Sequence, residues 1–249
     1  MKITYLAKLG ELTLKGSNIN AFESKLVRNV RDFLKHIPVD IILRAGRMYI
    51  DVEEENCREV EFCLSHLIGI TGWAKTTICE KNIASITSTV TELGKIAKEA
   101  GARTFKIDAR RSDKSFELDS YAIMRQAASG LYDNKILDVD LHNPDVTIWV
   151  EVREKCFVYT DSKTGCRGLP VGMSGKGLLL LSGGLDSPVA GYRMLRRGMR
   201  VECIYFHSYP YTSDEAQKKV EDLAKILSTY GMQTTLNIIS FTDVQMLIK

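Results

Sequence analysis

Apolar and polar positions in the first 58 residues predict a small unit of strand, helix and hairpin. Residues 3–9 form an apolar run typical of a strand, and the polar loop GELTLKGSN follows it. Ser17 or Asn18 can cap the next helix, whose apolar residues recur at helical spacing: Phe22, Leu26, Val30, Phe33, Leu34 and Ile37. Two short strand patterns, VDIILR and RMYIDV, then flank Ala45-Gly46, which predicts a hairpin packed on that helix.

A second unit is predicted from about residue 59 to residue 165. Helical patterns at residues 57–67, 83–100 and 120–131 alternate with the strand patterns TGWAKTTI and TFKIDAR, and VTIWVEV and CFVYTD predict an antiparallel hairpin. The next sixteen residues, SKTGCRGLPVGMSGKG, contain five glycines and one proline, which is typical of a linker. We therefore place a first domain at residues 1–58, a second at 59–165, a linker at 166–175 and a third domain at 176–249.

The third domain begins with a short strand pattern that ends in a glycine-rich turn. GLLLL is typical of a buried parallel strand, SGGLDS makes the turn, and PVAGYRMLRRG starts a helix with proline in its first turn. VECIYF, a helical pattern at residues 215–230 and QTTLNII continue the alternation. The fold class is therefore α/β with an α+β front end, and the third domain is an incomplete doubly wound parallel sheet.

Composition narrows the class of protein. The 249 residues are 45% hydrophobic and 26% charged, as in ordinary globular proteins with more than one domain. No uncharged apolar run approaches the roughly 20 residues that cross a bilayer, and no signal-peptide core is present, so we expect a cytoplasmic protein without a membrane partner. The six cysteines lack CxxC pairs and zinc-ligand spacing, which predicts mostly reduced core thiols.

The net charge of +3 is too small to indicate a class of binding partner, but the charges are unevenly distributed along the chain. Residues 1–47 contain nine Lys or Arg against four Asp or Glu, and residues 95–114 contain seven against three. Two interpretations remain open on charge alone, a nucleic-acid surface and solvated helix faces.

The SGGLDS turn suits a phosphate. A strand that turns directly into a helix directs backbone N–H groups and the positive end of the helix dipole at one point, where Gly183 and Gly184 allow close approach. Ser182 and Ser187 can donate further hydrogen bonds. Asp186 would repel phosphate unless Mg²⁺ intervenes, so we expect it to organise Mg²⁺ and pyrophosphate. Neither GxxxxGK nor GxGxxG follows this strand, which excludes the two commonest phosphate loops.

SGGLDS resembles the PP-loop motif of N-type ATP pyrophosphatases, and the run from Lys176 to Pro188 is interpreted as their nucleotide-binding loop. GLPVGMSGKGLLLLSGGLDSPVAGYRMLRRG is similar to the tRNA 4-thiouridine synthetases in particular. GELTLKGSN with Phe22-Glu23, and FKIDARRSDKSFELDS, resemble the same family in the same order. The resemblance implies an N-terminal ferredoxin-like domain, an RNA-binding THUMP domain and a PP-loop ATP pyrophosphatase domain.

The resemblance also implies an activity. Such enzymes use ATP and Mg²⁺ to adenylate the C4 oxygen of uridine at position eight of tRNA, and a persulfide sulfur then displaces AMP. The implied partners are tRNA, a cysteine desulfurase as sulfur donor and a second copy of the chain in a homodimer. Thiamine biosynthesis, a further role of some members, is tied there to a rhodanese domain and is not predicted for this chain.

The resemblance also assigns site residues, at the positions of this sequence that match the family motifs. The pyrophosphate and Mg²⁺ group would be Ser182, Gly183, Gly184, Asp186 and Ser187, with Asp186 as the catalytic residue. Leu180 and Leu181 would line the nucleotide pocket, with core packing as their alternative, and Tyr205 and Phe206 would contact adenine. Lys176 would lie near the triphosphate or be merely solvated. The residues for tRNA would be Lys15, Arg110, Arg111 and Lys114, with Phe116 as a stacking or a core aromatic residue.

This sequence departs from the family pattern in two places. Ile19 follows Asn18 where family members usually have arginine, which removes one expected phosphate contact. The sequence shows only three strand patterns of the nucleotide domain, and no cysteine matches the family's catalytic one. We therefore expect the 249-residue chain alone to be defective in thiolation, and a noncatalytic tRNA-binding fragment is the alternative function. A THUMP-containing methyltransferase would need a different cofactor loop.

Overall fold

The computed structural model describes residues 1–10 and 18–248. Its strands, in chain order, are β1 Lys2–Lys8, β2 Asp40–Arg44, β3 Arg47–Glu53, β4 Gly72–Cys79, β5 Thr104–Arg111, β6 Asp138–Val139, β7 Val146–Val152, β8 Cys156–Tyr159, β9 Lys163–Thr164, β10 Lys176–Leu180, β11 Arg200–His207 and β12 Leu236–Ser240. Its α-helices are α1 Ile19–Phe33, α2 Cys57–His66, α3 Ile83–Glu99, α4 Ser120–Tyr132, α5 Asp186–Arg196, α6 Asp214–Gly231 and α7 Thr242–Ile248. A 3-10 turn at Glu54–Asn56 leads into α2.

The chain forms two compact units. One contains Met1–Leu6 and Ala74–Lys163, and the other contains Ala7–Trp73 and Thr164–Lys249. The mixed α/β architecture, with an α+β front end and a parallel sheet in the last third of the chain, confirms the predicted fold class.

The strands of the first unit form a sheet in the order β1-β4-β8-β7-β5-β6. Strands β7 and β8 are antiparallel, as the sequence predicts for VTIWVEV and CFVYTD, and β5 runs parallel to β7. Helices α3 and α4 start at capping side chains, where Asn82 accepts from the Ser85 N–H and Asp119 accepts from the Ala122 N–H. Their apolar faces pack on the sheet around Phe105, which is almost fully buried.

The front part of the second unit contains α1, α2 and the predicted hairpin. Strands β2 and β3 pair from Asp40↔Asp51 to Arg44↔Arg47, and Ala45 and Gly46 both adopt left-handed φ values, 48° and 71°. Those angles are typical of a tight two-residue hairpin turn. Asn18 occupies the cap position of α1 but its side chain makes no capping hydrogen bond, and Ser17 lies outside the described residues.

The rest of the second unit is a parallel three-stranded sheet in the order β10-β11-β12. Helices α5 and α6 cover one face, where Leu195, Val201, Cys203 and Leu227 form the core. The parallel order puts the carboxyl ends of all three strands at one edge, where ligands bind in open α/β sheets.

The expectation that GLLLL is a fully buried strand is wrong. Leu181 is 3% exposed, but Leu178 is 59% and Leu180 is 65% exposed. Since side chains alternate along a strand, every second leucine points away from α5 and α6. The described residues cover only one face of this sheet.

All six cysteines are free thiols, and Cys63, Cys156 and Cys203 are buried. Burial raises the pKa of the Cys63 thiol to about 12. Within residues 1–10 and 18–248, none of the helices has the length and apolar character needed to cross a membrane.

Candidate functional site

The glycine-rich turn lies at the carboxyl edge of the parallel sheet. The Leu181 N–H donates to the Ile204 carbonyl at 2.9 Å and so extends the pairing of β10 with β11 by one residue. Residues 182–185 then turn directly into α5, which begins at Asp186 and has Pro188 in its first turn. The N–H groups at the start of α5 and the positive end of the helix dipole therefore meet at this turn.

Two hydroxyl groups hold the turn together. The Ser182 N–H donates to Ser187 Oγ at 2.9 Å, the two hydroxyl oxygens lie 3.1 Å apart, and Ser187 Oγ donates to the Ser182 carbonyl at 3.3 Å. The Gly184 N–H faces Ser182 Oγ at 3.4 Å. These contacts hold the turn in one conformation from within the protein, so a ligand would meet a backbone that is already folded.

The fold itself does not require glycine at residues 183 and 184. Neither residue adopts a left-handed φ. A Cβ on Gly183 would have Lys219 Cδ as its nearest neighbour at 3.4 Å, and one on Gly184 would have Ser182 Oγ at 3.5 Å, both ordinary contacts. In contrast, a Cβ on Gly191 would lie 2.7 Å from Leu179 Cδ2, so an alanine there would force that leucine side chain to shift. Glycine in the turn leaves room for a group outside the protein to approach the backbone.

Lys219 also lies beside the turn, although the sequence did not point to it. It is an exposed residue of α6 whose aliphatic chain lies beside Gly183. Within the described part of the chain Lys219 has no ion pair. The stretch SDEAQKKV contains no spacing that singles out this lysine, because only the packing of α6 beside α5 brings it to the turn.

Asp186 is exposed at the first position of α5, where a carboxylate also interacts favourably with the helix dipole. Across residues 1–10 and 18–248 there is no group of three or more His, Cys, Asp or Glu that could hold a metal ion. One carboxylate is nevertheless a sufficient protein contribution for Mg²⁺ that is held chiefly by phosphates. The arrangement thus suits Mg²⁺ that arrives with a nucleotide.

The four apolar residues predicted to line the nucleotide pocket divide between the two faces of the sheet. Leu181 and Tyr205 lie in the core under α5 and α6. Leu180 and Phe206 lie on the opposite face, since Leu180 pairs with Ile204 in the register and Phe206 follows two residues later. Phe206 is 42% exposed and makes an edge contact with Phe241 at 5.4 Å. Leu180 and Phe206 therefore present apolar surface close to the turn.

Lys176 lies far from the turn. It is the first of the five residues of β10, and its ammonium pairs with Glu202 at 3.4 Å. A strand of that length spans roughly 16 Å. The structure does not bring Lys176 together with Ser182 and Ser187.

The predicted RNA residues lie at the end of β5 and in the loop after it, in the first unit. Arg110 and Lys114 are exposed and have no side-chain partner within the described ranges. Arg111 Nη1 donates to the Phe116 carbonyl at 2.9 Å, and Phe116 is buried in the core, so those two residues support the loop. Hydrogen bonds from Lys81 and Ser115 hold the pKa of Asp113 well below its usual range. Lys15 lies outside the described residues.

Three family models match successive parts of this chain. The ThiI ferredoxin-like domain matches residues 4–74, the THUMP domain matches residues 80–161, and the thiamine biosynthesis protein (ThiI) model matches residues 172–249. A probable tRNA sulfurtransferase of Treponema pallidum (strain Nichols) is 52% identical over 97% of this chain and 61% of its own length. One from Thermoanaerobacter sp. (strain X514) is 42% identical over 99% of this chain and 64% of its own.

Two solved structures are similar. A 4-thiouridine synthetase in complex with RNA and with bound ATP superposes with a TM-score of 0.86 at 33% identity, covering all of this chain and 64% of that one. A protein from Pyrococcus horikoshii Ot3 gives a TM-score of 0.83 at 28% identity, covering 99% and 81%. This chain spans less than two thirds of the length of the two tRNA sulfurtransferases above.

The fold and the three matches define a THUMP-containing protein with a ThiI-type parallel-sheet domain. The matches confirm the resemblance found in the sequence, since the ThiI ferredoxin-like, THUMP and ThiI models follow one another along the chain and its relatives are named tRNA sulfurtransferases.

Proposed function

We propose that this chain carries the ATP and RNA sites of a tRNA sulfurtransferase that forms 4-thiouridine at position eight of tRNA. The observation that carries the proposal is the pair of glycines at residues 183 and 184, which the fold does not need and which a phosphate group would. The resemblance to tRNA sulfurtransferases supports the same activity, as does the similarity to a 4-thiouridine synthetase crystallised with RNA and ATP.

The nucleotide would bind across the end of the sheet. Its phosphates would take hydrogen bonds from the turn N–H groups and from Ser182 and Ser187, with the Lys219 ammonium at their outer side. Its adenine would lie against Leu180 and Phe206, which are apolar and accessible, whereas Leu181 and Tyr205 would support that surface from within the core.

The chemistry proceeds by successive displacements. The uridine C4 oxygen attacks the α-phosphorus of ATP and pyrophosphate leaves, so the turn would stabilise charge on the departing group. Mg²⁺ would neutralise phosphate charge when bound, and Asp186 would hold it. The terminal sulfur of a persulfide then attacks C4, and AMP leaves with the original oxygen. A second thiol breaks the remaining S–S bond, which leaves sulfur on C4 and releases the carrier as a disulfide. A cysteine desulfurase would supply the sulfur, and a homodimer would present tRNA from one subunit to the other.

Contacts to tRNA would come from Arg110 and Lys114, which are exposed and unpaired within the described ranges. Arg111 would act indirectly, because its guanidinium already holds the loop through Phe116. Phosphate contacts of this kind position RNA without reading its sequence.

Pyrophosphate release from Mg·ATP, measured with unmodified tRNA, tests the proposal. The controls are tRNA that lacks the target uridine and the Asp186→Ala variant. We expect release that needs the target uridine, Mg²⁺ and Asp186. Release that continues unchanged with Asp186→Ala would contradict the assignment of that residue.

The same assay decides the second candidate function, a noncatalytic tRNA-binding fragment. The uncovered face of the parallel sheet favours that candidate, since Leu178 and Leu180 lack neighbours among the described residues that would bury them. No pyrophosphate release together with intact tRNA binding would support the binding fragment. Release dependent on the uridine would exclude it.

A further inference from the structure

A cleft of about 790 Å³ lies within the second unit, between helix α1 and the amino edge of the parallel sheet. Lys25, Asn29 and Phe33 of α1 form one wall. The opposite wall consists of Arg200 at the start of β11, the end of α6 and Thr235 just before β12. Asn29 anchors the floor, since its buried Nδ2 donates to the Val171 carbonyl at 3.2 Å. This volume is within the roughly 300–1,000 Å³ typical of ligand sites.

The cleft has an excess of positive charge. Four cations line it, namely Lys25, Lys35, Arg200 and Lys225, against the two anions Asp32 and Glu202. Lys225 is paired with Asp222 and Glu202 with Lys176, so those charges are partly neutralised. Lys25, Lys35 and Arg200 have no ion pair or side-chain hydrogen bond to the rest of the described residues. Three cations therefore face the cleft against the single carboxylate of Asp32.

Two of these cations are held close to one another. A Cβ on Gly172 would lie 2.9 Å from Lys25 Nζ and 4.0 Å from Arg200 Nη2, so both groups converge on the same backbone position. Desolvation and then the neighbouring charges of Arg200 and Arg28 lower the pKa of Lys25. Like charges held together at a partly buried site repel each other, and a bound anion would relieve that repulsion.

Aromatic and hydroxyl groups complete the lining. Phe62 of α2 is 48% exposed, although its ring contacts His66 at 4.2 Å and Phe33 at 5.9 Å, centroid to centroid. Ser228, Thr229 and Thr235 contribute hydroxyl groups to the opposite wall. A cationic groove with an accessible aromatic ring is the usual composition of a site for single-stranded nucleic acid, where the backbone meets the charges and a base stacks on the ring.

The cleft is separate from the nucleotide site. Arg200 pairs with Lys176 in the register at the amino ends of β11 and β10, whereas Ser182 follows the carboxyl end of β10. The two sites thus lie at opposite edges of the same sheet. A ligand in the cleft would not occupy the position proposed for ATP.

We propose that this cleft binds the sugar-phosphate backbone of an unpaired RNA segment, with Lys25, Lys35 and Arg200 contacting phosphates and Phe62 stacking on a base. The proposal rests on RNA being the substrate of the proposed function, and it adds an anchoring site at the edge of the sheet opposite the glycine-rich turn. It predicts that single-stranded RNA binds without ATP.

The test is fluorescence anisotropy of a labelled single-stranded decauridylate, and of unmodified tRNA, over a range of salt concentrations with the 249-residue chain. For Lys25→Gln with Arg200→Gln, we expect binding of the decauridylate to weaken roughly 10- to 30-fold at about 0.1 M salt, and the salt slope to fall by about 1.4. Phe62→Leu should weaken it about tenfold while keeping apolar contact with Phe33. Arg58→Gln, at an exposed cation of α2 that does not line the cleft, should change neither the affinity nor the salt slope.

Three results would overturn the proposal. The unchanged chain could fail to bind the decauridylate, the double variant could keep the wild-type affinity and salt slope, or Arg58→Gln could lose as much affinity as the double variant. Displacement of the decauridylate by Mg·ATP would mean that the cleft binds a nucleotide. Asp186→Ala should bind the decauridylate with wild-type affinity. The anisotropy test can therefore succeed even if the pyrophosphate-release assay fails.

Discussion

A substitution at Gly183 can test ligand binding without a large change in stability. A methyl group there would lie 3.4 Å from Lys219 Cδ, an ordinary contact, so we expect Gly183→Ala to change the free energy of unfolding by less than about 0.5 kcal/mol. It should lower pyrophosphate release at least about tenfold, because the methyl group would occupy space that the phosphate needs. Urea unfolding and the release assay measure both. Normal release by Gly183→Ala would show that no group approaches this backbone.

A substitution at Lys219 tests whether its ammonium contacts the phosphates of ATP. Its exposed ammonium has no ion pair elsewhere in the described chain, so it is available to a phosphate next to Gly183. A charge-assisted hydrogen bond of about 1.5–3 kcal/mol would be lost in Lys219→Gln, which should raise the KM for ATP roughly 10- to 100-fold. Lys218→Gln, one residue earlier on α6, is the matched control. Equal KM values for the two variants would exclude a role for Lys219.

Among the elements, helix α5 depends on a glycine for its packing. In a helix interior, glycine to alanine usually stabilises by up to about 1 kcal/mol. At Gly191 the added Cβ would lie 2.7 Å from Leu179 Cδ2 and 3.2 Å from Leu227 Cδ1, so we expect Gly191→Ala to destabilise the chain by about 1–3 kcal/mol. Ala190→Gly, on the exposed side of the same helix, should cost about 0.5–1 kcal/mol. A higher urea midpoint in Gly191→Ala would show that the core relaxes around the methyl group.

The sequence predicted those elements whose signals are local. Ala45-Gly46 marked the β2–β3 turn because only a few residue types adopt two successive left-handed conformations. Helix α7 was missed, since its seven residues contain less than two turns of hydrophobic pattern and none of them is buried. The burial of β10 was predicted wrongly, because an apolar run cannot reveal whether a second layer covers the far side of a sheet.

The same distinction applies to the candidate site. Ser182 to Ser187 could be proposed from the sequence, because the candidate phosphate turn is built from consecutive residues. Lys219 and the cleft at Arg200 could not, since both depend on how α6 and α1 pack against the sheet. Local motifs thus identify the chemistry, whereas tertiary packing decides which cations lie beside it.

At the scale of the whole molecule, the residues at β5 that we propose for tRNA and those that we propose for the nucleotide lie in different compact units. Arg110 and Lys114 belong to the unit that contains Ala74–Lys163, and Asp186 belongs to the other. The two activities should therefore respond to different substitutions. We expect Asp186→Ala to leave the tRNA Kd unchanged while it abolishes pyrophosphate release.

Arg110→Gln and Lys114→Gln should have the reverse effect. Each removes a cation that is free to contact phosphate, so tRNA binding should weaken and the slope of log K against log salt should fall by about one per residue. Saturating tRNA should restore pyrophosphate release, because the turn at Ser182 is untouched. Arg111→Gln is not a clean comparison, since losing its 2.9 Å hydrogen bond to the Phe116 carbonyl would disturb the loop itself. A Kd and salt slope that stay at wild-type values in both variants would move the tRNA surface away from β5, and binding would then depend on the cleft at Lys25 and Arg200.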